Sequence, residues 1–185
     1  LALAAVNVFV GLDASSLYLD EAFSWRAASA PVGEIAERVR TDEVAPPTYY
    51  VALHSWTELA GAMGRAFSGT VGAAAVLLVA AVMWCALTAG GARTALLAGT
   101  LAALSPLVLE YGQQARAYVF AAAAGVLAVG ALMRGRPGPA GTGGLQWDAA
   151  AGAALWLHYT AALVVVPLLI AIIASPAGAR ARADA

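Results

Sequence analysis

The sequence predicts an all-α, polytopic transmembrane helical bundle with juxtamembrane helices in a long first extracytoplasmic loop. Three observations lead there. The 185 residues are 62% hydrophobic and only 11% charged, with a mean hydropathy of +0.77, where soluble domains run nearer half apolar and a quarter charged. Long uncharged runs rich in Ala, Val and Leu recur through the second half of the chain. The charge is concentrated instead in residues 13–68, which hold eight of the eleven acidic residues and four of the ten basic ones. Every basic residue is arginine. A net charge of -1 gives no general attraction to nucleic acid. The lone cysteine, Cys85, sits in an apolar run, so no disulfide framework is expected.

Taken in order, residues 1–12 form an apolar segment too short for a ~30 Å hydrocarbon core. It lacks a basic leader region, so it is expected to be the end of a first span, in a chain that is a fragment. Residues 13–68 are the expected extracytoplasmic loop. Within it, Pro31 suits a first helical position, and Val32, Ile35, Ala36 and Val39 share one face of a short interfacial helix. Residues 46–62 could span or lie in the interface. Tyr49, Leu53, Trp56 and Met63 make a helical stripe, and His54 and Glu58 share a face. Placing Glu58 in lipid would cost roughly 2–4 kcal/mol, which favours a second juxtamembrane helix.

The remaining spans fall in residues 69–175, treated with the rest as one domain. Residues 69–89 are the clearest span, followed by a tight turn at Gly90-Gly91-Ala92-Arg93. Residues 94–109 make a second, loosened by Pro106, and residues 117–133 a third. A basic, Gly-rich loop follows to Gly144. Residues 149–174 would be about 39 Å long as one helix; they form either one tilted span or two short helices meeting near His158-Tyr159. Residues 176–185 are the expected cytoplasmic tail. Arg93 and the Arg134/Arg136 pair, placed inside by the positive-inside rule, leave Glu110–Arg116 and the long loop sharing the outer face.

Four polar stretches then converge: Asp20-Glu21; Pro46-Pro47-Thr48-Tyr49-Tyr50; Ser105-Pro106 with Tyr111, Gln113 and Arg116-Ala117-Tyr118; and His158-Tyr159. Their order resembles the GT-C membrane glycosyltransferases, specifically the N-terminal part of the protein O-mannosyltransferase and aminoarabinose transferase (RgtA/B/C/D-like) superfamily. That resemblance implies sugar transfer from a polyprenyl-phosphate donor to a glycan, lipid or protein acceptor at the outer face of the cytoplasmic membrane. It implies Asp20 as general base, with Glu21 orienting the acceptor. A carboxylate at a membrane surface can have the raised pKa such a role needs. Arg116 would grip the leaving phosphate, with Tyr111, Gln113 and Tyr118 as further donor contacts. Pro46, Pro47, Tyr49, Tyr50, Asp42, Glu43, His158 and Tyr159 would support the site. The chain departs from the pattern at Ala45, where relatives carry His or Lys, and at Gln113-Gln114-Ala115-Arg116, which lacks their acidic residue. Neither zinc spacing nor a phosphate-cradling Gly loop is present. No metal ligand is therefore assigned, and nothing supports a divalent cation. The alternative is a non-catalytic polytopic membrane protein, a transporter or assembly subunit. A transporter would place its polar residues at mid-membrane between broken helices, whereas these motifs sit at the ends of apolar segments.

Overall fold

The computed structural model describes residues 1–10, 19–42, 45–60, 65–114, 116–134 and 142–174; of residues 19, 20, 42, 60, 65–68 and 142–144 it describes the backbone alone. Every regular element among them is helical: α1 (Ala2–Phe9), α2 (Leu19–Ala28), α3 (Val32–Asp42), α4 (Thr48–Ala60), α5 (Arg65–Ala103), α6 (Pro106–Gln113), α7 (Tyr118–Arg134), α8 (Thr142–Leu157) and α9 (Ala162–Ala174), with a 3-10 turn at Tyr159–Ala161 before the last.

Local chemistry sets most boundaries. Pro31 directly precedes α3, whose exposed side is laced by Arg38–Glu34 and Arg40–Glu37 pairs at 3.2 and 2.8 Å. These surface pairs contribute little to stability; the helix is held by Ile35 and Val39, both fully buried. Val32 and Ala36, expected on the same apolar face, are exposed. Pro46-Pro47 set the start of α4, where the Pro47 carbonyl accepts from Val51 N–H at 3.0 Å. Pro106 begins α6, a position where its missing N–H costs nothing.

α5 is two limbs rather than one rod. Gly91 has φ 80° and ψ -170°, a conformation open essentially only to glycine. The limbs 65–90 and 92–103 fold back on each other there, and Met83 packs over Gly99. The returning limb ends where the Asn7 side chain of α1 donates to the Ala103 carbonyl at 3.2 Å, satisfying one of the orphan acceptors of a helix end. The Gln113 amide does the same for α1, donating to the Val8 and Val10 carbonyls at 3.1 and 3.3 Å.

α7 lies at the centre, packed between α5 and α8. Its buried residues are nearly all small: Ala121, Ala123, Ala124, Gly125, Ala128, Gly130 and Ala131. At Gly130 the Trp84 ring lies so close to the backbone that a Cβ would overlap it. A main core joins Ala27, Ile35, Val39, Tyr49, Tyr50 and Leu53 of α2–α4 to Val8, Val71, Ala75 and Val119. A second cluster sets Trp147, Ala151 and Val165 against Ala128 and Ala131.

The polytopic bundle expected from composition is not what the chain forms. Among the described residues one stretch, Gly69–Ala103, is both long and apolar enough to cross a membrane, and 39% of its most apolar window is buried. Tyr118–Arg134 and Tyr159–Ala174 are apolar but shorter. The expected multi-pass anchoring, with the bilayer as partner and one face outside the cytoplasmic membrane, is corrected accordingly. The physical reason lies in alanine: Ala74, Ala75, Ala81, Ala128, Ala151 and Ala154, which resemble membrane filler in the sequence, are buried helix-to-helix contacts. Residues 46–62, weighed as span or interfacial helix, contain instead a 13-residue helix whose Tyr49, Tyr50 and Leu53 are core. Residues 149–174 are two helices, broken at His158. Leu96, Leu97 and Leu101 on the second limb of α5, and Leu163 and Ile170 on α9, remain exposed.

Candidate functional site

The N-terminal end of α7 is where the predicted polar residues gather. Between α6 and α7, Arg116 N–H donates to the Gln114 carbonyl at 2.7 Å. Arg116 Nη2 donates to the Tyr118 hydroxyl, two residues on, at 3.2 Å. The guanidinium also lies 5.4 Å from the Tyr118 ring centroid, within cation–π range.

From Tyr118 the aromatic contacts extend both ways. Tyr111 meets its ring edge-on at 5.5 Å, His158 packs against it at 4.7 Å, and Tyr159 stacks on His158 at 4.7 Å. His158 is buried and sits in extended backbone at the break between α8 and the 3-10 turn. Its Nδ1 accepts from Thr160 N–H at 3.3 Å and lies 2.8 Å from the Thr160 hydroxyl. With Nδ1 accepting, the hydrogen-bond network assigns the proton of the neutral ring to Nε2.

Ala45, Tyr50, Arg116, Ala117, Tyr118, Leu157 and His158 enclose a space of about 10 Å³, room for roughly one water or one ligand oxygen. α2 and α4 back this space. Tyr50 contacts Phe23 edge-on at 5.9 Å and Tyr49 at 5.2 Å. Glu21 is buried on α2. Burial pushes the Tyr49 hydroxyl well above the usual phenol range; the Arg116 charge opposes that shift and the Glu21 charge adds to it. Both ionic groups therefore lie close enough to act on Tyr49.

The structure thus brings Glu21, Tyr49, Tyr50, Tyr111, Arg116, Tyr118, His158 and Tyr159 to one end of the bundle. Tyr111 and Tyr159 are exposed at its rim. Pro46 and Pro47 are half-buried at the start of α4. The Gln113 amide serves the end of α1. Asp20 and Asp42 lie on helices whose side chains at those positions are outside the described residues, as is Glu43 altogether. Among the described residues no group of three or more His, Cys, Asp or Glu could hold a metal ion. Sequence reasoning gave no role to Thr160, which fixes the imidazole, or to Leu157, which helps close the space, and read Ala45 only as a departure from the family pattern; a hydroxyl two residues after a histidine was the available signal for the first.

No family model, no curated protein and no solved structure matches this chain. Together with the single membrane-length stretch among the described residues, this overturns the GT-C resemblance and what it implied: glycosyltransferase activity, the polyprenyl-phosphate sugar donor, its acceptor, and a site at the outer membrane face. The alternative of a polytopic transporter or assembly subunit falls with the same finding. The motifs are short, and packing accounts for several of them. Pro-Pro starts a helix, Tyr49-Tyr50 fill a core, and Gln113 ties down a neighbouring helix end.

Proposed function

We propose that this end of the bundle binds a small molecule through an oxyanion, a phosphate or a carboxylate, anchored on Arg116. The observation that carries the reading is the convergence of the Arg116 guanidinium, the Tyr118 hydroxyl and His158 on a space the size of one oxygen atom. A guanidinium beside neutral donors is the usual chemistry for gripping such groups. The size of the space means that a single ligand oxygen enters while the rest of the molecule stays outside, against Tyr111 and Tyr159.

Calorimetric titration of the intact chain with inorganic phosphate, pyrophosphate and malonate tests this. Arg116→Gln is expected to weaken binding by about tenfold or more, the scale of a hydrogen bond to a charged group. Tighter binding of pyrophosphate than malonate identifies a phosphate ligand, and the reverse identifies a carboxylate. If all three anions bind the Arg116→Gln chain as well as the parent, the reading is wrong.

A further inference from the structure

The opposite end of α7 holds a second concavity. Trp84, Leu127, Ala131, Arg134, Gln146, Ala149 and Ala150 line a cavity of about 470 Å³, within the range of roughly 300–1,000 Å³ common for small-molecule sites. α7 runs 17 residues from Tyr118 to Arg134, so those two residues lie about 24 Å apart by helix rise.

Its construction is specific. Arg134 is the one charged side chain in the lining, and its guanidinium lies 5.3 Å from the Trp84 ring centroid. Trp84 can occupy that wall only because residue 130 is glycine: a Cβ there would overlap the indole. Arg134 has no carboxylate partner among the described residues. The next acidic residue along the chain is Asp148, exposed on α8 and not part of the lining. The cation also stands at the C-terminal end of α7, where a positive charge favours the helix dipole. That role alone would require neither the indole beneath it nor the cavity beside it.

Behind the cavity wall the core leaves one donor unsatisfied. Trp147 is buried, and its indole Nε1 has no hydrogen-bond partner among the described residues. It belongs to the apolar cluster that also holds Ala131, with Trp84 and Ala150 packed against it, three of the cavity's walls. A buried donor without an acceptor is uncommon.

We propose that this cavity is an independent binding site for an aromatic carboxylate. The carboxylate pairs with Arg134, and the ring lies against Ala131, Ala149 and Ala150 beside Trp84. The charge of the lining selects an anion, and the Trp84 indole among small apolar side chains offers an aromatic contact for a ring.

The test is calorimetry of the intact chain with 1-naphthoate and, as the neutral counterpart, 1-naphthalenemethanol. Naphthoate is expected to bind saturably and the alcohol at least tenfold more weakly. Arg134→Gln, at an exposed position, should weaken naphthoate by about tenfold or more. Ala150→Phe, which fills the cavity, should abolish binding. Circular dichroism checks that each variant keeps its helix content. The proposal is overturned by absence of saturable binding, by equal affinity for the alcohol, or by unchanged affinity in both Arg134→Gln and Ala150→Phe.

Discussion

Tyr49 places a hydroxyl in the core with no hydrogen-bond partner among the described residues. An unsatisfied buried group of this kind costs about 1–3 kcal/mol, so Tyr49→Phe is expected to raise stability by about 1 kcal/mol at neutral pH. Burial also holds the phenol protonated well above its ordinary range. The folded state therefore keeps its proton where the unfolded chain, titrating near 10, begins to lose it. The associated stability is fully present below about pH 10 and is lost as pH rises toward the folded-state value. Urea unfolding at neutral and at strongly alkaline pH should show a shallower alkaline loss in the Phe variant. Lower stability of the variant at neutral pH would mean that the hydroxyl has a partner. Residue identity alone could not have shown any of this. The Tyr-Tyr pair was legible as an aromatic feature, but which hydroxyl is stranded depends on α2 and α7 closing over it. Gln113 teaches the same lesson, since its amide is used on carbonyls 105 and 103 positions earlier in the chain.

Elements were more legible than residues wherever the signal was local. The spacing of Ile35 and Val39 located α3, the Pro-Pro pair located the start of α4, and the glycines at 90–91 located the turn between the limbs of α5. What the pattern missed was which face of each helix is covered. Val32 and Ala36 share the apolar stripe of α3 yet stay exposed, because α2 and α4 reach only the side carrying Ile35 and Val39. The Gly91 turn offers a sharp test. An alanine forced into that backbone conformation should lose about 1–3 kcal/mol. Gly69→Ala on the same helix, where a Cβ meets nothing within 4 Å, should be neutral or stabilising by up to about 1 kcal/mol. Thermal melts of the two variants decide it: equal stability would mean that the limbs do not depend on the Gly91 turn.

At the scale of the whole molecule, composition was the misleading signal. Alanine and glycine raise mean hydropathy whether they face lipid or fill close helix contacts, and the buried face of α7 is built almost wholly from them. The sequence therefore revealed that the chain is helical and where its polar residues cluster, but not how many helices pack among themselves. That packing makes α7 a rigid strut between Arg116 and Arg134, held on both sides by α5 and α8. Residues this far apart with no shared neighbours usually contribute additively, within about 0.3–0.5 kcal/mol. The two proposed sites should consequently be uncoupled: saturating naphthoate is expected to change the affinity for pyrophosphate or malonate by less than about twofold. The Arg116→Gln, Arg134→Gln double variant should show the sum of the two single losses. Coupling well beyond twofold would mean that α7 shifts as a unit between two packings against α5 and α8. In that case the small residues along its buried face would be serving movement rather than close contact.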